Sequence, residues 1–394
     1  MTTQLRTKLV SEFVCTADKC ADTCCKHWSM QLDFVMLEKY KKDAPELLPA
    51  VEEDNDGTFI MRKDTQTGYC VKFTDGKCGI QMSHGEKFLG DACSLYPRIT
   101  RNIADTAVMT ATMSCPEIAR IALYGDNPFA FEGASLSRLP QEIKNILSQN
   151  SFGGLSQEDA LSIHKLFIEA TEDESASAEQ IFARINSVSR SLYRVEKKDW
   201  LRATNMYFRL ADGGLPAPEI NINDPFNLLH SLCGLVVASK KSIPPRLGQT
   251  ISEMENALHV KLDWKNVLIN TSDESLDAYN NLHALWQNEM QEVYTPLLKR
   301  WLAAQLSSSL YPFAGLGETL PERATIIGVR LAILKLALIS TYSINAGKLY
   351  QDDVVRVVQS LSRFLEHLAD SAFSLQIYKE TGWDRENRMR GLLK

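Results

Sequence analysis

The sequence predicts a mainly α protein, in which a small cysteine-rich α+β metal-binding N-terminal domain is followed by a larger all-helical domain. Two observations predict this division. Eight of the nine cysteines lie in the first 115 of 394 residues, and apolar residues recur with helical spacing after about residue 135. We therefore expect the cysteine-rich domain at residues 1–130 and the helical domain at residues 131–394.

Short elements and turns are predicted for the first 125 residues. The expected elements are a helix at 34–42 and strands at 58–62, 69–73 and 108–113. Between two short runs, Asp75 and Gly76 are typical of a tight hairpin turn. A further helix is expected after Cys115, because Pro116 suits a first helical turn and Gly125 suits a helix end.

Helices are predicted for most of the remaining chain. Ser177 and Gln180 have the spacing of a capping box, which indicates the start of one of them. The expected helices lie near 158–170, 177–195, 199–211, 246–260, 286–308, 321–344 and 352–373. The most apolar run, 326–339, is interrupted by Arg330 and Lys335, which favours a buried core helix over a membrane span.

Composition excludes several partner classes. The chain is 44% hydrophobic and 23% charged, with a net charge of −6, as is usual for a soluble globular protein. It has no basic excess that would indicate a nucleic-acid partner. The first residues lack the apolar core of a secretory signal. We therefore expect a cytoplasmic protein without a membrane partner, in a compartment where clustered thiols more often bind metal than form disulfides.

The cysteines are the candidate metal ligands. An iron–sulfur cluster and zinc both accept four thiolates. The absence of any CxxC pair favours the cluster, and buried thiols or disulfides are the alternative. A helical turn would place Cys20 and Cys24 on one face, whereas Cys233 lies in an apolar segment that indicates a buried thiol. The eight candidates suffice for one or two centres: Cys15, Cys20, Cys24, Cys25, Cys70, Cys78, Cys93 and Cys115.

Several sequence blocks together resemble the bacterial flagellin lysine-N-methylases. The blocks are FVCTADKCADTCCKHW, YCVKF followed by CGIQ, GDACSLYPR, MSCPEIAR, SLYPF and SRFLEH. The resemblance implies an iron–sulfur centre, of the 4Fe-4S type or related to it, held by the N-terminal cysteines. It also implies transfer of a methyl group from S-adenosylmethionine to lysine side chains of flagellin.

Two questions stay open at this point. The chain has no strand followed by a glycine-rich turn of the Rossmann type, so the sequence does not locate the S-adenosylmethionine site. A non-catalytic metal-binding or redox-sensing protein, with a helical domain that binds a partner, is the alternative function.

The predicted helix near 352–373 carries the candidate catalytic residues. Arg363, Glu366 and His367 lie away from its apolar stripe, which consists of Val354, Val358, Leu361, Leu365 and Leu368. Two interpretations are open: a solvated surface, or a polar wall of the substrate cleft. In the second, Glu366 attracts the incoming lysine ammonium, and Arg363 or His367 fixes the orientation of its carboxylate.

Overall fold

The computed structural model describes residues 3–26, 30–136, 138–140, 143–147, 153–210, 215–240 and 242–393. An N-terminal α+β region containing a sheet precedes a helical C-terminal region, so the predicted order of the two classes of structure is confirmed.

The N-terminal region contains a five-stranded sheet. Its strands are β1 (Thr3–Thr7), β6 (Arg98–Ile103), β7 (Thr106–Ala111), β8 (Phe131–Gly133) and β9 (Lys144–Leu147), in the order β8-β1-β7-β6-β9. Strand β7 is central and wholly buried, and it pairs in parallel with β1 and antiparallel with β6. It is the strand predicted at 108–113, shifted two residues towards the N-terminus. The sheet takes strands from both sides of residue 130, so the prediction that residues 131–394 are all-helical is wrong. The domain boundary stays a prediction.

The cysteine-rich region, residues 14–95, has a hydrophobic cluster of its own around the fully buried Tyr40. Two hairpins lie beside it, and the predicted turn at Asp75 and Gly76 is confirmed, with positive φ at both residues. The predicted strand at 69–73 is wrong for most of its length, since only isolated bridges form at Tyr69 and Cys70. The elements are α2 (Phe34–Asp43), β2 (Val51–Glu53), β3 (Phe59–Met61), β4 (Phe73–Thr74), β5 (Lys77–Cys78), α3 (Gly79–His84) and α4 (Asp91–Leu95), after the short α1 (Lys8–Ser11).

Helices form the rest of the described chain. They are α5 (Pro116–Tyr124), α6 (Gln157–Glu169), α7 (Ala178–Leu192), α8 (Trp200–Leu210), α9 (Asp224–Ala238), α10 (Pro245–Ala257), α11 (Asp273–Leu285), α12 (Gln291–Ser309), α13 (Leu320–Ile344), α14 (Gln351–His367), α15 (Ser371–Glu380) and α16 (Glu386–Leu392), with a small hairpin of β10 (Leu262–Asp263) and β11 (Leu268–Ile269). The capping box at Ser177 and Gln180 is confirmed.

The helices in the structure differ from the predicted ones at several positions. The helix predicted at 352–373 ends at His367, because the Asp370 side chain accepts hydrogen bonds from two backbone amides and begins α15. A π-helical turn at Trp286–Met290 precedes α12. Helices α9 and α11 were not predicted.

Helix α13 forms the centre of the helical region. It is long and apolar enough to cross a membrane by length and composition, but 94% of its most apolar window is buried inside the protein. The prediction of a buried helix at this position is therefore confirmed. The large core around α13 extends to β7 and α5, so the sheet packs directly against the helices.

Candidate functional site

The segment between Cys20 and Lys26, called here the cysteine loop, has no helical structure. A 3-10 turn at Ala17–Lys19 ends before Cys20. The Asp22 carboxylate then accepts a hydrogen bond from the Thr23 amide, and the Thr23 hydroxyl accepts one from the Cys25 amide. Such local bonds from side chain to backbone compete with a helix. The predicted helical turn through Cys20 and Cys24 is therefore wrong. His27 and Trp28 lie outside the described residues.

The eight N-terminal cysteines separate into two groups in the structure. Burial raises the pKa of Cys93, and the nearby thiols of Cys24, Cys70 and Cys78 raise it further. A hydrogen bond from the Cys25 thiol lowers the pKa of Cys24 to about 7, so Cys24 has thiolate character near neutral pH. The first group, called here the five-thiol group, comprises Cys24, Cys25, Cys70, Cys78 and Cys93.

The second group comprises Cys15, Cys20 and Cys115. Burial raises the pKa of Cys115 to about 12, with further contributions from the other two thiols. The predicted helical turn would have allowed Cys20 and Cys24 to reach one metal centre, and the structure instead places them in different groups. Cys233 lies apart from both and is fully buried in α9, as predicted.

The five-thiol group is the largest set of candidate metal ligands that the structure brings together. None of the nine cysteines, all within the described part of the chain, is in a disulfide. Over those same described residues, no three His, Cys, Asp or Glu side chains are arranged to hold one metal ion. Four thiolates are the usual ligand set both of structural zinc sites and of iron–sulfur clusters.

Helix α14 binds the cysteine loop directly. Arg363 Nη1 lies 2.6 Å from Asp22 Oδ2, and Gln359 Nε2 donates to the same oxygen at 2.9 Å. Arg363 also donates to the Lys26 carbonyl. From α10, Arg246 Nη1 donates to the Ala21 carbonyl at 3.0 Å. Three side chains of the helical region therefore fix the loop that connects the two thiol groups.

Burial decides between the two interpretations of Arg363. Its side chain is 6% exposed and forms an ion pair with Asp22, whose side chain is 20% exposed. A solvated surface is therefore the wrong interpretation for Arg363. The partner residue Asp22 was not predicted, although it lies between Cys20 and Cys24 in a block that was singled out.

Glu366 and His367 contact the end of the sheet. Glu366 accepts hydrogen bonds from the Thr112 hydroxyl at 2.5 Å and from Gln305 Nε2 at 3.1 Å. His367 Nε2 lies 2.9 Å from the hydroxyl of Ser114, the residue that precedes Cys115. The cavity beside Glu366 has a volume of about 10 Å³, which suffices for one water at most. The three predicted residues thus lie together on α14, at the junction with the N-terminal region.

Comparisons with known proteins agree with these features. The family described as FliB lysine N-methylase C-terminal domain matches residues 154–389, more than half of the chain. The flagellar biosynthetic protein FliU of Salmonella muenchen is 26% identical over 141 residues, which is 33% of this chain and 82% of that protein.

Two lysine-N-methylases are more distant. Those of Salmonella typhimurium and Salmonella choleraesuis are each 24% identical over 120 residues, 28% of this chain and 29% of either enzyme. The alignment thus spans less than a third of those enzymes. No solved structure matches the chain. The family match includes α6 to α16, and by this match the chain belongs to the FliB lysine N-methylase family.

Proposed function

We propose that the protein transfers a methyl group from S-adenosylmethionine to lysine side chains of flagellin. The observation that carries this proposal is the family match over residues 154–389. The flagellar name of the relative in Salmonella muenchen supports flagellin as the protein substrate.

The chemistry of the acceptor defines what the site has to do. A lysine ammonium has a pKa of about 10.4, so roughly one side chain in a thousand or fewer is neutral at pH 7. The ammonium loses a proton to solvent, and the nitrogen lone pair then attacks the methyl carbon of S-adenosylmethionine. The carbon–sulfur bond breaks with its electrons moving to sulfur, and S-adenosylhomocysteine leaves. The new bond uses the electron pair of nitrogen, and sulfur keeps the pair of the broken bond. No electron is exchanged with a carrier, so the step needs no redox centre.

A labelling experiment tests the proposal. Anaerobically purified protein is incubated with flagellin and methyl-labelled S-adenosylmethionine, and labelled residues are identified by mass spectrometry. Label on lysine is the expected result, and flagellin with acetylated lysines is the control that should take up none. A fully metallated protein that transfers no label would contradict the proposal and favour the non-catalytic metal-binding or redox-sensing alternative.

We propose further that the five-thiol group holds an iron–sulfur cluster of the 4Fe-4S type. Its members come from the cysteine loop, from the segment just before β4, from β5 and from α4, so a bound cluster would cross-link four segments of a region with a small core. Freshly purified protein should contain iron and acid-labile sulfide in comparable amounts. If protein from iron-replete cells contains stoichiometric zinc and no sulfide, the cluster proposal is wrong and the five-thiol group is a zinc site.

A cytoplasmic location also stays a prediction.

Catalytic roles for Arg363, Glu366 and His367 stay predictions as well. Their contacts favour a different role, since the Arg363 guanidinium is engaged by Asp22 and the Glu366 carboxylate by Thr112 and Gln305. The small volume beside Glu366 leaves no room for a lysine side chain in this conformation. These contacts join the cysteine loop and the sheet to α14.

A further inference from the structure

A groove with a volume of about 810 Å³ opens on the surface of the helical region. Its walls come from the end of α6 and the turn after it, from the start of α7, from α12, and from the chain after α5. Phe129 and Ile168 form an apolar part of the wall, and both pack against the main hydrophobic core. The volume is in the range of ligand-binding sites.

Three carboxylates that line this groove are not engaged by the protein. Glu172 and Glu174 belong to the turn after α6, and Glu292 belongs to the first turn of α12. All three residues are exposed, and none forms a hydrogen bond or an ion pair with another residue that the structure describes. Asp173, which lies between the first two, instead pairs with Arg184. The three carboxylates are therefore available to a ligand cation.

The two cations of the groove are already bound to the backbone. Lys299 Nζ donates to the Asp173 carbonyl at 2.7 Å, and Arg300 Nη1 donates to the Gly125 carbonyl at 2.5 Å. Both cations are half-buried, whereas the three glutamates are exposed. The lining therefore carries one more negative than positive charge, and its accessible charges are the negative ones.

The start of α12 also offers polar groups to a peptide main chain. A π-helical turn at Trp286–Met290 precedes this helix, and such turns occur frequently at functional sites. Pro296 lies inside α12 and has no amide hydrogen, so it cannot donate the helical hydrogen bond to the Glu292 carbonyl. Gln291 and Thr295 line the groove, and neither side chain has a hydrogen-bond partner among the described residues. These groups can accept from and donate to peptide amides.

We propose that this groove docks a lysine-bearing segment of the protein substrate, an inference that rests on the proposed function. The apolar stems of the lysines pack on Phe129 and Ile168, and their ammonium groups pair with the three glutamates. A carboxylate favours the protonated amine, whereas the amine that accepts the methyl group has to lose its proton. The groove therefore binds lysines of the substrate other than the one that reacts, and it contributes to substrate affinity and not to the chemical step.

Binding of flagellin to the protein, measured by biolayer interferometry at low ionic strength, tests the proposal without any need for turnover. The triple variant Glu172→Gln, Glu174→Gln and Glu292→Gln should weaken binding about tenfold, because three surface ion pairs are lost. The KM for flagellin in the labelling assay should increase by a similar factor with kcat unchanged, as expected when an interaction is equally strong in the ground and transition states. All three residues are exposed, so the melting temperature should not change.

Flagellin with acetylated lysines removes the charge from the other partner. It should bind the native protein as weakly as unmodified flagellin binds the triple variant. Acetylation should then weaken binding to the triple variant only slightly, because the two changes remove the same interaction. Full additive losses would mean that the glutamates do not contact the lysines, and would overturn the inference.

The matched control is the triple variant Glu158→Gln, Asp277→Asn and Glu318→Gln. These three acids are exposed and do not line the groove, and their loss changes the net charge of the protein by the same amount. The control variant should bind flagellin as the native protein does. Equal weakening in the two triple variants would show attraction by the overall charge alone and would overturn the inference.

The remaining outcomes separate the docking groove from the proposed function. Native affinity in the groove variant, or no binding of flagellin to the native protein, overturns the inference, and label transfer to lysine would still support methyl transfer. Binding that depends on the groove, without any label transfer by the metallated protein, would support the docking site and contradict the proposed methyl transfer.

Discussion

The cysteine-rich region and the helical region differ in what holds them together. The first has a cluster of thirteen buried residues around Tyr40, which is small for a region of this length. The second is built around α13, whose apolar residues are buried on all sides. We therefore expect apolar burial to stabilise the helical region, and the cysteine-rich region to depend also on its thiols and on contacts from α14. The two regions should therefore lose their folded structure under different conditions.

Removing a thiol ligand should have the largest effect, confined to the first region. Cys24→Ala and Cys93→Ala should each lose most of the bound iron, because each removes a member of the five-thiol group. Hydrogen exchange should accelerate at residues 30–93 and stay slow in α13. Cys233→Ala is the control, since Cys233 lies in the core of α9, and it should keep its iron. Full iron content in both ligand variants would exclude Cys24 and Cys93 as ligands.

The contact between the two regions should have the next largest effect. Arg363→Gln leaves the Asp22 carboxylate without its ion-pair partner, and loss of one member of a buried pair costs about 3–5 kcal/mol of unfolding free energy. Because Asp22 is partly exposed, we expect the lower end, measured by urea unfolding.

Two further variants sharpen this result. Arg120 forms an exposed pair with Glu117 within α5, and Arg120→Gln should cost less than about 0.5 kcal/mol. Adding Asp22→Asn to Arg363→Gln should restore part of the stability, since no unpaired charge is left. Additive losses in the double variant would show that the two side chains are not coupled.

Acid should decrease the unfolding free energy of the helical region, and His164 should contribute to this decrease. This fully buried side chain hydrogen-bonds the Tyr311 carbonyl through Nδ1 at 2.8 Å, and burial lowers its pKa to about 4. An unfolded histidine has a pKa of about 6.5, so the unfolded state binds the extra proton between these values. Stability is therefore complete above pH 6.5 and falls as the pH decreases to 4, by about 3 kcal/mol at 1.36 kcal/mol per pKa unit.

His164→Asn isolates this contribution, because asparagine keeps a donor to the carbonyl and does not titrate. The difference in unfolding free energy between the native protein and this variant should shrink by about 3 kcal/mol between pH 7 and pH 4. A difference that does not change with pH would mean that His164 has the same pKa in the folded and unfolded states.

The smallest effect is expected from Glu366→Gln. Glutamine keeps an oxygen that accepts from Thr112 or Gln305, so methyl transfer should change less than tenfold, or about 1.4 kcal/mol. The measurement is the labelling rate with saturating flagellin and S-adenosylmethionine. A larger loss, with iron content and melting temperature unchanged, would instead support the catalytic role predicted from sequence.

Secondary-structure elements with local sequence signals were predicted, whereas the arrangement of the candidate site depends on contacts between residues far apart in the sequence. The hairpin at Asp75 and Gly76 and the capping box at Ser177 depend on residues close in sequence, and both were predicted correctly. The burial of α13 followed from composition alone. In contrast, the separation of Cys20 from Cys24 depends on a loop whose carboxylate is bound by Gln359 and Arg363, which are 337 and 341 residues away. No local pattern around Asp22 indicates those partners.

A cavity of about 640 Å³ between α7, α11 and α13 was also not predicted from the sequence. Its walls come from α7, α11 and α13, and α11 was not predicted as a helix. Lys335 was noted only as an interruption of an apolar run. Its partner Glu179 lies 156 positions earlier in the chain, in the first turn of α7, where an acidic residue is expected for helix stability alone.

The long separation between Asp22 and Arg363 has a consequence during synthesis. A ribosome that adds about 5–20 residues per second needs roughly 20–70 s to travel from one to the other. Over that interval the cysteine loop has emerged, but α14, which fixes it, does not yet exist. The thiols are then accessible to a metal-delivery protein or to an oxidant. We therefore expect the cysteine loop to be most accessible to metal insertion and to oxidation before α14 has been synthesised.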